Sequence, residues 1–350
     1  MNDYKRPFFV KKMNNSITTS GIDVPQNARL DFIDTAKGLC ILLVVMNHVR
    51  YYYSFSTPFD IAVKSFRMPL YFVLSGLFFK PYEGLGGFLR RKTNKLLIPF
   101  IFFWLVSSVI WMLLSKRPLG DLMESLLIEN IFFNLPIWFL LCLFEVNILF
   151  YLLYLLSRKL PSPTLCLGIM CLLCGIGGLM LSYYKINIYA YLDTSMTAMP
   201  LFFFGYYVGR ETNLLRKPSK KRELISIIIV CCSVLFLFSS NVDYRTNTFS
   251  PRAYWTAYLC GICGTILVLA IAKWVRKIPL VTYYGRYSII ILCTHMVFYL
   301  FIDIILGHFG LVKLNKFAIV FGFMVFSYLA IIPLCVKFLP HVTAQKDVIR

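Results

Sequence analysis

Residues 96–115 read LLIPFIFFWLVSSVIWMLLS, a run of twenty residues without a single charge. As an α-helix, such a run extends about 30 Å, which is the thickness of the hydrocarbon core of a bilayer. Similar blocks recur along the 350-residue chain, which is 59% hydrophobic and 15% charged, with a mean hydropathy of +0.71. Soluble domains carry about 25% charged residues. The sequence therefore predicts a helical membrane protein.

We predict an all-α bundle of about ten transmembrane helices, with prolines near the ends of several blocks. The predicted spans are residues 33–53, 61–79, 96–115, 135–156, 164–182, 195–209, 223–240, 253–273, 287–306 and 317–338. They form one membrane domain, residues 31–340, between an N-terminal tail (1–30) and a C-terminal tail (341–350). No secretory signal is predicted at the start of the chain.

The positive charge of the chain, +20 at pH 7, is concentrated in short segments between the apolar blocks. With an even number of spans and the N-terminus inside, 25 lysines and arginines fall on the cytoplasmic side and 10 on the opposite side. This bias predicts a multi-pass protein of the cell's inner (cytoplasmic) membrane with both termini in the cytoplasm. Because the basic residues follow the loops and form no surface with interleaved aromatic residues, nucleic acid is not an expected partner.

The eleven cysteines indicate neither disulfides nor a metal site. The pairs Cys171/Cys174 and Cys260/Cys263 lie inside apolar blocks without a nearby histidine. A free cysteine in such a setting behaves as a small hydrophobic residue. We therefore expect no metal cofactor.

Ionisable side chains inside an apolar helix are costly, so they mark candidate sites of chemistry. The first span holds Asp34, Lys37 and His48. At 100° per residue the three fall on one side of the helix, so we expect them to face one protein-lined hollow. Neutral imidazole accepts protons near pH 7, which makes His48 a candidate general base. The alternatives are interfacial positions for Asp34 and Lys37, and a structural hydrogen bond for His48.

Further candidate residues lie in three other spans. Arg67 in the second span suits an anionic ligand or a carboxylate partner. Trp138 opens the fourth span, as a binding residue or an interfacial anchor, and Glu145 follows two turns later on the same face. Ser288 and His295 in the ninth span are seven residues apart and share a helix face. Hydrogen bonding between helices is the alternative role for this last pair.

A basic cluster lies between the second and third spans, and it consists of Arg90, Arg91, Lys92 and Lys95. Arginine and lysine bind phosphates, and coenzyme A carries several of them. Membrane topology alone also demands a basic cytoplasmic loop at this place. Both interpretations of the cluster stay open from the residues.

In this order, these elements resemble the acyltransferase 3 family of integral membrane acyltransferases, above all its fucose 4-O-acetylase-like and intercellular adhesin O-acyltransferase branch. The resemblance covers residues 29–338. It is carried by Asp34, Lys37, Gly38 and His48, by Phe66 to Gly76, by Arg90 to Pro99, by Trp138 to Leu140, and by Gly285, Ser288 and His295. Arg67 departs from the family pattern, in which a histidine commonly precedes Met-Pro.

The resemblance implies an O-acyltransferase that moves an acyl group, most often acetyl, from acyl-coenzyme A to a sugar hydroxyl of a cell-surface or exported polysaccharide. It implies His48 as base or transient acyl carrier, assisted by Lys37 and Asp34. Arg90, Arg91, Lys92 and Lys95 would hold the coenzyme A phosphates. The expected substrate-binding residues are Arg67, Ser75, Trp138, Glu145, Ser288 and His295. The expected partners are thus the lipid bilayer, acyl-coenzyme A as donor, and a carbohydrate.

Two other functions use the same sequence features. A flippase or exporter of lipid-linked glycan would also need basic loops and intramembrane charges, but it would move substrate without turning over coenzyme A. A non-catalytic subunit of a glycan synthase would tolerate loss of both Lys37 and His48.

Overall fold

A computed structural model describes residues 31–49, 58–82, 84–115, 133–212, 220–310 and 316–349. Within these ranges the chain is α-helical apart from short connections and one hairpin of two-residue strands. The predicted N-terminal tail, residues 1–30, lies outside the described residues.

The helices follow one another in chain order with the strands between the eighth and the ninth. They are α1 (Asp31–His48), α2 (Pro58–Leu77), α3 (Gly84–Lys92), α4 (Ile98–Ser115), α5 (Trp138–Ser157), α6 (Pro163–Tyr183), α7 (Leu192–Glu211), α8 (Lys221–Phe238), β1 (Val242–Asp243), β2 (Thr248–Phe249), α9 (Ala253–Val275), α10 (Pro279–Arg286), α11 (Ser288–His308), α12 (Lys316–Phe326) and α13 (Ile332–Phe338). Single 3₁₀ turns precede α5 (Leu135–Ile137) and α7 (Tyr189–Tyr191).

Six helical stretches among the described residues are long and apolar enough to cross a membrane. They are Gly84–Leu114, Leu135–Ser157, Pro163–Tyr183, Ala253–Val275, Ser288–His308 and Phe317–Phe338. The prediction of a multi-pass helical membrane protein is therefore confirmed. The number of about ten spans and the side on which the termini lie stay predictions.

Two helices contain a wider π-helical turn directly before a proline. Residues Thr93–Leu97 join α3 to α4 ahead of Pro99, and Ser327–Ile331 join α12 to α13 ahead of Pro333. Proline has no N–H to donate, and its ring clashes with the carbonyl four residues earlier. An inserted residue widens the turn and relieves that clash, and such turns are frequent at functional sites. The first of these turns carries Lys95, one of the predicted donor-binding residues.

Glycines bring α2 and α7 into backbone contact. A methyl group on Gly76 would lie 1.9 Å from the carbonyl oxygen of Phe202, and one on Gly205 would lie 1.9 Å from that of Val73. Small residues permit this close approach between membrane helices. The second helix is thereby held rigidly, although Pro69 lies inside it.

A second contact of this kind joins α1 to α10. A methyl group on Gly38 would lie 1.9 Å from the oxygen of Val281, and one on Gly285 would lie 1.8 Å from the oxygen of Asp34. The contact fixes the rotation of α1, and with it the directions in which the predicted catalytic side chains project.

The C-terminal segment, residues 340–349, folds back onto the π-helical turn before α4. The side-chain oxygen of Asn94 accepts hydrogen bonds from the N–H groups of Val348 (2.8 Å) and Ile349 (2.9 Å), and its amide donates to Ile349 O (2.8 Å). Lys95 donates to Ala344 O (2.8 Å) and lies 3.0 Å from an Asp347 oxygen. The hydrogen bond from Lys95, together with Arg91 and Arg90, lowers the pKa of Asp347.

Candidate functional site

His48 is the last residue of α1, and its partly buried ring lines a cavity of about 280 Å³. We call this the histidine cavity. It is lined by residues of α1, α2, the start of α5, the hairpin and α11, namely Val44, Asn47, His48, Lys64, Arg67, Met68, Leu135, Pro136, Trp138, Phe139, Val242, Asp243, Tyr244, Arg245 and Leu292.

A second histidine, His295, lies directly behind the first. Its Nε2 is 3.3 Å from Nδ1 of His48, and the ring centroids are 5.0 Å apart. His295 Nδ1 is 2.9 Å from Ile291 O, and His48 Nδ1 is 2.8 Å from Val44 O. A carbonyl oxygen only accepts hydrogen bonds, so each Nδ1 must carry its proton. In the neutral state, the lone pair of His48 is then on Nε2.

The charged residues around the histidine cavity come from two elements. Helix α2 contributes Lys64 and Arg67, and the hairpin contributes Asp243 and Arg245. The hairpin is anchored to α7, because the Thr194 hydroxyl donates to Tyr244 O at 2.8 Å. The cavity therefore offers several hydrogen-bonding and charged groups around one imidazole.

A larger cavity of about 420 Å³ lies beside the first, and we call it the lysine cavity. Its lining combines cations with hydroxyl groups and leucines: Lys37, Tyr71, Leu74, Ser75, Phe78, Tyr82, Arg91, Lys92, Lys95, Leu96, Phe139, Leu140, Leu143, Ser288, Ile289 and Leu292. Lys37 Nζ is 5.4 Å from the centroid of the Phe78 ring.

The two cavities share a wall made by Phe139 of α5 and Leu292 of α11, which line both of them. Both side chains are buried, with 4% and 5% of their surface exposed. The Phe139 ring packs on Tyr71 and Phe72, with centroid distances of 5.6 Å and 5.2 Å. Phe139 and Leu292 thus lie between the histidine cavity and the lysine cavity.

The helix that carries most of the basic cluster is held by one aromatic side chain. Phe88, the one buried residue of α3, stacks on Tyr151 of α5 with ring centroids 4.4 Å apart. This anchor leaves Arg90 and Arg91 exposed at one end of the lysine cavity. A smaller cavity of about 150 Å³ adjoins it, lined by Tyr82, Gly87, Arg90, Arg91, Asn94 and Asp347.

Comparison with known proteins shows the family to which the chain belongs. The sequence model of one family, described as an acyltransferase domain, matches residues 30–336. This range includes the residues that line the histidine cavity and the lysine cavity. The chain belongs to the acyltransferase 3 family. No curated protein and no solved structure is significantly similar to it.

The residues predicted for this acyltransferase fall into three groups. His48, Arg67 and Trp138 line the histidine cavity. The lysine cavity takes Lys37, Ser75, Ser288, Arg91, Lys92 and Lys95, whereas Arg90 lines the smaller cavity beside it. Asp34, Glu145 and His295 line none of these three cavities.

The expected single hollow is in fact divided. Lys37 and His48, about 16 Å apart along α1, line different cavities, and Phe139 and Leu292 line both of these cavities. Asp34 is buried where α1 meets α10, and Glu145 accepts a hydrogen bond from the Ser195 hydroxyl at 2.9 Å.

Sequence reasoning missed three features of this acyltransferase. These are the Asp243–Arg245 hairpin, the contact between the two histidines, and the C-terminal segment beside the basic cluster. The hairpin lies in a connection between apolar blocks, which gives no signal of proximity to α1. The C-terminal segment had one signal, the acidic Asp347 in a basic protein, but its partner Lys95 is far away along the chain.

Proposed function

We propose that this acyltransferase moves an acyl group, most often acetyl, from acyl-coenzyme A to a sugar hydroxyl of a cell-surface or exported polysaccharide. The donor binds in the lysine cavity and the acceptor in the histidine cavity. The observation that carries the proposal is the position of His48, which lines a polar cavity that shares Phe139 and Leu292 with a second, cation-lined cavity.

The lining of the lysine cavity suits an acyl-coenzyme A donor. Arg91, Lys92 and Lys95 lie together at one end, where they match the negative phosphates of coenzyme A. Leu140 and Leu143 offer apolar surface to the arm that carries the thioester. The donor is therefore oriented with its phosphates at the basic cluster and its acyl group towards the wall.

Three polar side chains lie farther along the donor's path. Lys37, Ser75 and Ser288 line the lysine cavity together with its leucines. The lysine cation steers the donor or stabilises negative charge that develops on it, and the hydroxyls bind polar groups of its arm. Asp34, one turn before Lys37, assists from its buried position at the contact with α10.

The histidine cavity suits a carbohydrate. Its lining offers charged and polar side chains for hydroxyl groups, among them Arg67 and Arg245. It also offers aromatic side chains, of which Trp138 is the largest and can stack its face on a sugar ring. The acceptor hydroxyl is placed against His48 by these contacts.

In the reaction, His48 Nε2 removes the proton of the acceptor hydroxyl as the oxygen attacks the acyl carbon of the thioester. The tetrahedral intermediate collapses, the carbon–sulfur bond breaks, and the imidazolium returns its proton to the thiolate of coenzyme A. The products are the acylated sugar and free coenzyme A. In the alternative route, Nε2 itself carries the acyl group between donor and acceptor.

The location proposed for the reaction follows from charge. About ten spans with both termini in the cytoplasm place the basic cluster on the inner side of the cell's cytoplasmic membrane. The lysine cavity then opens towards cytoplasmic acyl-coenzyme A, and the histidine cavity lies towards the outer face. This arrangement fits acylation of a glycan during or after its export, as in the fucose 4-O-acetylase-like branch that the sequence resembles.

The test is release of coenzyme A from acetyl-coenzyme A by the purified full-length chain, with surface glycan from a strain lacking the protein as the acceptor. We expect His48→Ala to lower the rate roughly a hundredfold or more, since general base catalysis contributes that much. His308→Ala is the matched control, because this histidine is exposed at the end of α11, far from either cavity lining, and it should retain the full rate.

Equal rates for the His48→Ala variant and the unchanged protein would overturn the proposal. A flippase would release no coenzyme A in this assay in any variant. In a separate experiment, mass spectrometry of surface glycans from a strain lacking the protein would identify the transferred group, through the loss of one acetyl mass per modified sugar.

A further inference from the structure

We propose that His295 is a positioning residue that holds His48 in the protonation state the reaction requires. The inference rests on the proposed function of His48 as a base. It differs from the expectation that His295 binds substrate, because the side chain is fully buried and does not line the histidine cavity.

The direction of the hydrogen bond between the two rings follows from their other contacts. His295 Nδ1 lies 2.9 Å from Ile291 O, so it carries a proton and leaves Nε2 as an acceptor in the neutral ring. His48 Nδ1 faces this acceptor at 3.3 Å and Val44 O at 2.8 Å. His295 Nε2 and Val44 O are thus both acceptors, so the proton stays on His48 Nδ1.

This arrangement selects one of the two neutral forms of His48. With the proton on Nδ1, the basic lone pair is on Nε2. The other form would bring three lone pairs together, on Nδ1, on His295 Nε2 and on Val44 O, which is electrostatically unfavourable. A general base needs the correct form before substrate arrives, as the partner of a catalytic histidine usually ensures.

His295 is itself fixed by its surroundings. Its ring packs edge-on against Tyr299 and Phe323, with centroid distances of 5.9 Å and 6.3 Å. The Tyr299 hydroxyl donates to Val45 O at 3.2 Å and so joins the same two helices, α11 and α1. The acceptor nitrogen is therefore held at a defined place behind His48.

The contact strengthens as the reaction proceeds. When Nε2 takes the hydroxyl proton, His48 becomes a cation, and its Nδ1–H then donates a charge-assisted hydrogen bond to neutral His295. His295 gains and loses no proton, since the proton on His48 Nε2 goes on to the leaving thiolate. The contact thus stabilises the charged state of His48 more than the resting state, which lowers the barrier.

Two amide variants separate this role from simple packing. In His295→Gln, the longer amide reaches the position of Nε2 and supplies an acceptor. In His295→Asn, the shorter amide reaches the position of Nδ1 and can donate to Ile291 O, but it supplies no acceptor to His48. Thr294→Val is the control for structure, because it removes a side-chain hydrogen bond from the residue next to His295, within α11, and changes neither imidazole.

The readouts are kcat and KM for acetyl-coenzyme A, measured as coenzyme A release by the purified full-length variants. We expect His295→Asn to lower kcat about ten- to a hundredfold with KM unchanged, which is the size of a hydrogen bond to a charged group. His295→Gln should recover most of that loss, and Thr294→Val should retain the kcat of the unchanged protein.

Equal losses in the Asn and Gln variants, or full activity of the Asn variant, would overturn the inference. A rise in KM in place of the fall in kcat would also overturn it, because it would place His295 in donor binding. If His48→Ala is inactive while His295→Asn is fully active, this inference fails and the proposed function stands. If His48→Ala is itself fully active, the proposed function fails.

Discussion

Lys37 precedes His48 by about three turns of the same helix, on the same side, yet it lines a different cavity. A side chain in the histidine cavity contacts the acceptor in the proposed function, whereas one in the lysine cavity contacts the donor. Loss of Lys37 should therefore act mainly on KM for acetyl-coenzyme A, and loss of His48 mainly on kcat. A rate measured at one substrate concentration would not distinguish the two effects.

We expect Lys37→Met to raise KM for acetyl-coenzyme A about tenfold, because it removes one charged hydrogen-bond donor from the donor cavity and keeps the apolar stem. The effect on kcat should be smaller than that of His48→Ala. The measurement is initial rate against acetyl-coenzyme A concentration. Lys159→Met, at an exposed position after α5, is the control. An unchanged KM would contradict the assignment of Lys37 to the donor.

At the scale of elements, the C-terminal segment is held by short polar contacts. Asn94 is buried and bonded to the backbone of residues 348 and 349, while Lys95 bonds to Ala344 and Asp347. The same Lys95 lines the lysine cavity. Lys95 therefore contacts the docked segment and, in the proposed function, also the donor.

The docking of the C-terminal segment should weaken in acid. The folded-state pKa of Asp347 is lowered, chiefly by the hydrogen bond from Lys95, so its stabilising effect is complete at neutral pH and is lost as pH falls below about 4. At neutral pH, Asp347→Asn should speed hydrogen exchange of the Val348 and Ile349 amides about two- to fivefold, as expected for a largely exposed ion pair.

Lys346→Gln is the control for this exchange experiment, because Lys346 is an exposed neighbour on the same segment. It should leave the exchange of both amides as it is. Equal exchange in the Asp347→Asn variant and the unchanged protein would mean that the ion pair of Asp347 with Lys95 does not help to hold the segment.

At the scale of the whole molecule, two cavities share one wall, and in the proposed function this wall keeps donor and acceptor apart. Phe139 and Leu292 come from α5 and α11, and each is buried while lining both spaces. In the proposed function the acyl group must pass this wall to reach His48. The wall also keeps water in one cavity from the thioester in the other.

We expect Phe139→Ala to increase release of coenzyme A without any glycan acceptor roughly three- to tenfold, because water then reaches the thioester. Acetylation of glycan in cells should fall at the same time. Phe144→Ala, on the same helix but in neither cavity lining, is the control. A fall in both rates would contradict a separating role for the wall.

Sequence reasoning succeeded wherever the signal was local. The uncharged run at residues 96–115 lies in a helical stretch long enough to span a membrane, and the family predicted from the motifs around Lys37, His48 and Trp138 is the family that matches. It failed where a feature depends on distant residues. His48 and His295 are 247 positions apart, and no pattern near either one indicates that they touch.

The sequence by itself determined that the chain is a helical membrane protein, and which family it belongs to, because hydropathy and motif spacing are properties of neighbouring residues. Only the tertiary structure decided which side chains share a cavity. Close glycine contacts between α1 and α10 set the rotation of the first helix, and Phe139 of α5 with Leu292 of α11 borders both the cavity of Lys37 and that of His48. Such distances depend on how helices far apart in the chain pack, which local periodicity does not encode.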